Sequence, residues 1–390
     1  MILDRLHVRD FRNLEDVVLT PAPTFNVLFG ANGQGKTSML EAIHFVSEGR
    51  SFRSSQRADL MRRGSNRLVV DAEVRSRIGT VDHLGASLSG SEKQLRINER
   101  TVPSLESYLG SLRVVVHSPD DSQLIAGPPE LRRRFLNRIL VLGKPGFFQV
   151  LARYVRALKN RNRCLLEHRP QNEVESWSEV LIRAGAKILA SRVQLVSLLE
   201  PHVLAAVRRI TANAMAISLR YRTSGPLLEG PLDEPDAERW LVAQAERRAA
   251  QEQRLERTLF GPHLDDLEIQ LEPGPARRHA SQGERRSLLV ALRLAERSVI
   301  AEQSGDDPVF LLDDLSSELD SKRAARLVEA VAEVPGQVFL TSTERRAGPA
   351  HARSFHVRCG EVFPDPPVAA DPVASHSSQA LVPPAGRMLS

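Results

Sequence analysis

The first part of the chain alternates between short apolar and polar runs, which is the pattern of β-strands separated by turns. Strands are predicted at residues 2–8, 17–19, 25–29, 68–74, 80–88, 94–97 and 114–116. One helix interrupts them, because Met39, Leu40, Ile43 and Val46 fall at helical spacing. This part of the chain is therefore predicted to be rich in β-structure.

The pattern changes from Leu131 onward, where apolar residues recur three and four positions apart. One stripe runs through Phe148, Leu151, Val155, Leu158, Asn162 and Leu165, and a second through Trp177, Leu181, Ala184, Ile188, Ser191, Leu195 and Leu198. Residues 168–172 join the two stripes, so we expect a short antiparallel helical hairpin. A further helix is predicted at 233–257.

Strand and helix signals alternate again near the end of the chain, in the order helix 284–301, strand 309–314, helix 321–333 and strand 338–340. Such alternation indicates a parallel sheet covered by helices. The predicted fold class is α/β, with a mixed or parallel sheet and an antiparallel β subdomain. The predicted domains are a discontinuous head (1–118 and 256–360), a helical insertion lobe (119–255) and a disordered, proline-rich tail (361–390).

A glycine-rich loop lies between the predicted strand at 25–29 and the helix that follows it. Gly30, four further residues and then Gly35, Lys36 and Thr37 form a complete P-loop pattern. Glycines let backbone N–H groups curl around phosphate oxygens, while Lys36 is expected to reach the β- and γ-phosphates and Thr37 to ligate Mg²⁺. The predicted nucleotide-binding residues are Gly30, Ala31, Asn32, Gly33, Gln34, Gly35, Lys36, Thr37 and Ser38.

The apolar strand at 309–312 ends in two acids, Asp313 and Asp314, as a Walker B segment does. An acid at the end of a strand beside a P-loop can hold Mg²⁺, often through water. We assign that role to Asp313, and we expect Asp314 to polarise the attacking water. Together with Lys36 and Ser281, these acids are the candidate catalytic residues of the chain.

The sequence SQGE opens the predicted helix at 284–301. Ser281 offers a hydroxyl donor and Gly283 permits close approach, while a helix N-terminus attracts phosphate. By itself this sequence would be an ordinary helix cap, but its place between P-loop and acidic strand favours a phosphate contact. Residues 316–320 then occupy the place of a D-loop, and residues 341–343 that of a switch segment.

The chain has 390 residues and a formal net charge of +5, which mildly favours a polyanionic partner. Residues 131–169 carry eleven Lys or Arg against one Glu. Aromatic residues make up only 5% of the chain, so contact with a duplex backbone is expected rather than stacking on single-stranded bases. The candidate DNA-binding residues are Arg132, Arg133, Arg134, Arg153, Arg156, Lys159, Arg161 and Arg163.

The two cysteines suggest neither a disulfide framework nor a structural zinc site. The N-terminus lacks the apolar core of a signal peptide, and no uninterrupted apolar run approaches the roughly 18 residues that a membrane span needs. We therefore expect a soluble cytoplasmic protein with no membrane partner.

The order of these motifs resembles the SMC-like branch of ABC ATPases, and within it the RecF family of recombination mediators. The motifs that carry the closer resemblance are DFRNL at 10–14, GANGQGKTS at 30–38, GRS at 49–51, SPDD at 118–121, GPP at 127–129, RRRFL at 132–136, LKNRN at 158–162 and GPH at 261–263. Phe52 and Leu264 depart from the family pattern, in which His and Arg are usual.

This resemblance implies an ABC-type ATPase head that binds ATP and Mg²⁺. It also implies that Ser281 of one chain completes the site of a second, so that ATP drives formation of a homodimer and slow, DNA-stimulated hydrolysis reverses it. Arg12 would contact the nucleotide. The implied partners are double-stranded and gapped DNA and RecR with RecO, in a pathway that loads RecA and takes part in the SOS response.

Other functions compatible with a P-loop are a kinase of small molecules, the ATPase subunit of a membrane transporter, and an ATPase joined to a nuclease. The long basic insertion argues against all three. The alternative that stays open is the ATPase head of another SMC- or ABC-type complex for DNA maintenance.

Overall fold

The computed structural model of the chain describes residues 1–54, 56–211, 215–226, 230–314, 321–345 and 347–365, apart from the side chains of Asp120 and of residues 321–323. The predicted D-loop at 316–320 therefore lies outside the described residues.

The N-terminal part consists mainly of strands, as predicted. Its elements are β1 (Ile2–Phe11), β2 (Leu14–Leu19), β3 (Phe25–Phe29), α1 (Lys36–Glu48), a 3₁₀ turn (Arg57–Leu60), β4 (Arg67–Arg75), β5 (Val81–Ser89), β6 (Glu92–Ile97), β7 (Arg100–Thr101), α2 (Leu105–Tyr108) and β8 (Val114–His117). Six of the strands form an antiparallel sheet in the order β2-β1-β4-β5-β6-β7. Its apolar face, with Leu6 and Val8 of β1, packs in one core with Met39 and Ile43 of α1.

The insertion lobe consists of helices and one strand. After a 3₁₀ turn (Pro119–Ser122) come α3 (Gln123–Ala126), α4 (Pro129–Gly143), α5 (Phe147–Leu166), α6 (Gln171–Ile210), β9 (Ile217–Arg222) and α7 (Glu234–Leu255). Helices α5 and α6 pack against each other as the predicted antiparallel hairpin. The hairpin is therefore confirmed.

The predicted stripe on α5 is wrong at one point, because Val155 is 62% exposed and Tyr154 is buried instead. The hydroxyl of Tyr154 lies 2.7 Å from Nδ1 of His263, and Arg161 of the same helix is buried against Glu252. Polar side chains take part in this seam because partners from distant segments satisfy them, which apolar periodicity does not register.

Helix α6 contains an 18-residue window with a mean hydropathy of 1.2, so by length and composition it could cross a membrane. In the described structure it packs against α5, α7 and α9. Leu189, Leu195 and Leu199 lie in the core formed with those helices. These contacts bury 39% of that window inside the protein.

The C-terminal part contains β10 (Asp266–Leu271), β11 (Gly274–Pro275), α8 (Ala276–His279), α9 (Gln282–Ser304), β12 (Val309–Leu312), α10 (Ser321–Ala332), β13 (Val338–Ser342), β14 (Arg353–Arg358) and β15 (Glu361–Pro364). Strand β15 pairs with β14, so the prediction of a disordered tail from residue 361 is wrong at its start. Strand β9 was not predicted; it pairs with β10, more than forty residues further along the chain.

The central sheet has the order β15-β14-β3-β13-β12-β8, and the strands from β14 to β8 are parallel. Its two faces belong to different cores: Val27 and Leu340 pack with the lobe helices, whereas Leu28 and Phe339 pack with α1 and the antiparallel sheet. Because β3, β13 and β12 are parallel neighbours, the segments that follow them emerge at one edge of the sheet. These segments carry the predicted nucleotide site.

Candidate nucleotide-binding site

The P-loop connects β3 to α1, and its glycines are required by the space around them. Gly30 has a φ of +152°, and a Cβ added there would lie 2.3 Å from the carbonyl oxygen of Val357. Gly35 has a φ of +115°, and a Cβ there would lie 3.0 Å from Nδ2 of Asn13. Only glycine fits these two positions without displacing the adjacent backbone or side chain. The free N–H groups at the start of α1 face the same loop, an arrangement that suits phosphate.

Lys36 folds back over this loop. Its Nζ donates hydrogen bonds to the carbonyl oxygens of Gly30 at 2.6 Å and Ala31 at 2.8 Å. Burial lowers the pKa of Lys36, while the negative charges of Asp314 and Asp313 act in the opposite direction. Phosphate oxygens entering the loop would give the ammonium group stronger, charge-assisted partners than these carbonyls.

Asp313 lies directly beside the P-loop threonine. Its Oδ1 accepts hydrogen bonds at 2.8 Å from the hydroxyls of both Thr37 and Thr341. Burial is the largest influence on Asp313 and raises its pKa, against the effects of these two hydroxyls and of Arg53. One hydroxyl and one carboxylate at hydrogen-bond distance are the protein ligands that Mg²⁺ takes beside a nucleotide, so the residues fit the predicted cation.

Asp314 follows with a left-handed backbone, at a φ of +48°. Its N–H donates to the hydroxyl of Thr341 at 2.9 Å. The negative charge of Asp314 opposes the lowering of the Lys36 pKa by burial, and that of Asp313 acts in the same direction. The two acids and Lys36 are thus brought together as the sequence predicted.

Two supports of the P-loop were not found from the sequence. Gln34 is held by the turn between β14 and β15: its Oε1 accepts from the N–H of Cys359 at 2.7 Å and its carbonyl oxygen from the N–H of Gly360 at 2.9 Å. At the other end, the hydroxyl of Ser38 donates to Oδ1 of Asn13 at 2.8 Å. Asn32 and Gly33, which precede both supports in the loop, are exposed.

Arg12 forms a two-pronged ion pair with Glu41 of α1, at 2.9 Å and 2.7 Å. It also donates to the carbonyl oxygen of Asp59 at 2.7 Å. Glu41 is completely buried, so this pair compensates a charge within the fold. The sequence signal for it was an acid within the apolar run of α1. The predicted contact of Arg12 with nucleotide stays a prediction.

Ser281 caps α9 in a reciprocal arrangement. Its hydroxyl accepts from the N–H of Glu284 at 3.3 Å, and its own N–H donates to Oε2 of Glu284 at 2.8 Å. Ser281 is exposed and Gly283 half-buried. Within the described ranges, no hydrogen bond joins Ser281 to the P-loop. The hydroxyl of Ser281 is thus engaged with its own helix and is exposed at the N-terminus of α9.

A buried chain of alternating charges connects the P-loop helix to the helix that Ser281 caps. Glu48, at the end of α1, accepts from Arg138 of α4 at 2.7 Å, and Arg138 also pairs with Glu296 of α9. Glu296 pairs with Arg293 at 2.7 Å, and Arg293 pairs with Asp121 at 2.9 Å. Arg138 holds the pKa of Glu48 well below its usual range despite complete burial. The network thus joins the two helices whose N-termini carry the two halves of the predicted site.

The predicted DNA-binding arginines fall into two groups. Arg132 and Arg161 are buried and ion-paired, with Asp266 at 2.7 Å and Glu252 at 2.6 Å, so their assignment to a DNA surface is wrong. The physical reason is that each guanidinium satisfies a carboxylate from a distant segment. The side chains that reach solvent, wholly or in part, are those of Arg133, Arg134, Arg153, Arg156, Lys159 and Arg163.

Partners within the chain separate the remaining candidates further. Arg133 donates to the carbonyl oxygen of Asp265, while Arg134 pairs with Glu130 and Arg163 with Glu167. Arg153, Arg156 and Lys159 have no ion pair within the described residues. They lie three residues apart along α5 and so share one face of the helix.

Known proteins match this chain over most of its length. The family model described as the RecF/RecN/SMC N terminal domain matches residues 2–358. The proteins named DNA replication and repair protein RecF from Symbiobacterium thermophilum and Anaeromyxobacter sp. (strain K) are 37% and 38% identical over 373 and 379 residues, which is 94% and 93% of this chain and 99% of each relative. The RecF protein of Geotalea daltonii is 34% identical over 344 residues, 88% of this chain and 93% of its own.

Among solved structures, that of the recombination mediator protein RecF with ATP in the RecFOR pathway matches with a TM-score of 0.85 and 27% identity, covering 93% of this chain and 99% of its own. The Smc head domain of Pyrococcus furiosus matches with a TM-score of 0.55 at 17% identity, covering 93% of this chain and 95% of its own, which shows a likeness of fold.

Proposed function

Because the chain belongs to the RecF family of DNA replication and repair proteins, we propose that it is an ATP-switched recombination mediator that binds DNA during replication-linked repair. The proposed partners are duplex and gapped DNA, a second copy of the chain, and RecR with RecO for the loading of RecA, with a part in the SOS response. The matching solved relative is described as carrying ATP within the RecFOR pathway, which supports ATP as the nucleotide.

The observation that carries the proposal is the separation of the two halves of the site. Within the chain, Thr37 donates a hydrogen bond to Asp313, and the charge of Asp313 acts on Lys36. Ser281, in contrast, is exposed at the N-terminus of α9. A helix N-terminus with a serine hydroxyl is suited to a phosphate that lies outside its own chain. Two chains facing each other would each supply what the other lacks, with ATP between them.

The chemistry proposed for the closed dimer is slow hydrolysis of ATP. Mg²⁺ bound by Thr37 and Asp313 would neutralise charge on the β- and γ-phosphates. Asp314 would accept the proton of the attacking water, and Lys36 would stabilise the charge that develops on the phosphates. Aspartate reaches one methylene less far than the glutamate usual in ABC ATPases, so turnover is expected to be slow. Hydrolysis would thus return the ATP-bound dimer to monomers.

The proposed DNA contact uses the exposed basic face of α5. Arg153, Arg156 and Lys159 present positive charge on one exposed face of this helix, and the dimer would double that charge. Neutralisation of DNA phosphates by such residues releases counterions and gives binding that weakens as salt rises. Long cationic side chains of this kind favour the phosphate backbone as the point of contact.

The test is sedimentation of the wild-type chain and of Ser281→Arg with ATP and Mg²⁺, with and without gapped duplex DNA. We expect the wild type to sediment as a dimer with ATP, and the variant to stay monomeric while still binding ATP. Ser197→Arg, at an exposed serine of α6, is the control for the added charge. ATP-independent dimerisation, or an unchanged dimer in Ser281→Arg, would contradict the proposal.

A further inference from the structure

Thr341 lies at the end of β13, the strand between the P-loop strand β3 and the acidic strand β12. Its side chain is almost fully buried, with 1% exposure. The register places Thr341 opposite Leu28 of β3, and Leu340 opposite Leu312 of β12. The hydroxyl of Thr341 is therefore fixed between the phosphate loop and the two acids.

That one hydroxyl contacts both acids in different ways. It donates to Oδ1 of Asp313 at 2.8 Å and accepts from the N–H of Asp314 at 2.9 Å. A hydroxyl is a side-chain group that can donate and accept at once through a single atom. The first contact orients a carboxylate, and the second fixes the backbone that carries the next carboxylate.

The contact of Thr341 with Asp313 matters because the hydroxyl of Thr37 donates to the same oxygen atom, Oδ1. If the hydroxyl of Thr37 were to bind a cation, Asp313 would lose one of its two hydroxyl donors. Thr341 does not lie in the P-loop, so its hydrogen bond to Asp313 would remain and would hold the carboxylate in place. Hydrogen bonds of this kind to a metal-ligating carboxylate set its geometry and its affinity for the metal.

The contact with Asp314 fixes an uncommon backbone conformation. A φ of +48° is seldom adopted by residues with a side chain, and the structure around them must hold them there. The hydrogen bond from the N–H of Asp314 to the hydroxyl of Thr341 holds this conformation at the point where the chain leaves β12. Rotation of this peptide would change the direction in which the Asp314 side chain leaves the backbone.

We propose that Thr341 is a positioning residue for ATP hydrolysis, whose hydroxyl holds Asp313 toward Mg²⁺ and Asp314 toward the attacking water. The inference rests on the proposed ATPase function and concerns how its two acids are aligned. Thr341 acts through these acids and not on the nucleotide, so its removal affects turnover and the use of Mg²⁺ more than the binding of ATP.

The test compares Thr341→Val, which keeps the shape and removes the hydroxyl, with Thr341→Ser, which keeps the hydroxyl. We expect Thr341→Val to lower kcat by about 10- to 100-fold, because a small displacement of a catalytic group costs rates of this order. The dissociation constant for Mg²⁺ in the presence of ATP, measured by calorimetric titration, should rise by about tenfold or more. KM for ATP should stay within about threefold, and Thr341→Ser should recover most of the wild-type rate.

Thr101→Val is the matched control, since Thr101 is an exposed threonine on β7 of the antiparallel sheet. If the valine variant fails to fold, Thr341→Ala against Thr341→Ser makes the same comparison between two small side chains. Equal kcat and Mg²⁺ dependence in the hydroxyl-free and hydroxyl-bearing variants would overturn the inference. A wild type that binds ATP without hydrolysing it would instead overturn the proposed ATPase function, so the two failures are distinguishable.

Discussion

The P-loop region and the region around Ser281 are built in opposite ways. In the first, Lys36 is buried and folded onto its own loop, and Asp313 is 6% exposed under two hydroxyls. In the second, Ser281 is exposed and its hydroxyl contacts its own helix. The difference indicates that one half of the site is prepared within the chain, and that the other half is exposed at the surface of the chain.

The two regions are nevertheless connected within one molecule. The buried ion pairs from Glu48 through Arg138 to Glu296 run from the end of the P-loop helix to the middle of the helix that begins next to Ser281. Charges removed from water are stable only with their partners in place. The network therefore fixes the placement of α9 relative to α1.

The largest effect is expected at the enclosed half of the site. Lys36→Met removes the ammonium group that lies inside the phosphate loop, and loss of a buried, charged partner costs about 2–5 kcal/mol. We expect ATP affinity to fall by about 1,000-fold, measured by calorimetric titration of the monomer. Lys159→Met, at an exposed lysine of α5, serves as the control and should bind ATP normally.

The second-largest effect is expected at Ser281, where a substitution should weaken self-association and leave ATP binding unchanged. Ser281→Arg places a bulky cation where a phosphate from the partner chain would lie, and we expect self-association with ATP to weaken by about 100-fold. ATP affinity of the monomer should stay within about threefold of wild type. If monomer binding fell along with the dimer, the two regions would not be separable in the way that the comparison states.

A smaller effect is expected where the regions are connected. Arg138→Lys keeps the charge but loses the planar fork that reaches Glu48 and the carbonyl of Val114, so the free energy of unfolding should fall by about 1–2 kcal/mol. Denaturant unfolding measures this change. Arg134→Lys, on the same helix and 69% exposed, should be within about 0.5 kcal/mol of wild type.

The smallest effect is expected away from both regions, on the exposed face of α5. Charge reversal at Arg156 and Lys159 together should weaken binding to duplex DNA by about tenfold and flatten its dependence on salt. ATP binding should not change. The control is charge reversal at Arg247 and Arg254, exposed on α7, which alters net charge equally. Equal loss with both pairs would show that net charge, and not this face, carries the DNA contact.

The predictions from sequence succeeded where the signal was local. The P-loop at 30–38, the acid pair after β12 and the cap at Ser281 are short motifs whose geometry depends on neighbouring residues. The helical hairpin followed from apolar spacing within two segments. Each of these features is determined by backbone conformation and periodicity over fewer than about forty residues.

Errors arose where a polar residue is satisfied from far along the chain. Arg132 and Arg161 belonged to a basic run and were predicted to face DNA, but their partners are Asp266 and Glu252. Strand β9 was missed because its pairing partner follows the whole of α7. A sequence pattern shows which residues carry charge, and not which of those charges meet in the core.

The sequence by itself thus determined that this protein has a P-loop, a pair of acids, a helix capped by Ser281 and a basic helical lobe. Only the tertiary structure decided that Thr341 bridges the two acids, that Gln34 is held by the turn at Cys359, and that Ser281 is left outside its own site. The physical reason is that motifs are set by local backbone geometry, whereas their alignment is set by parallel strand pairing, which brings together residues separated by hundreds of positions.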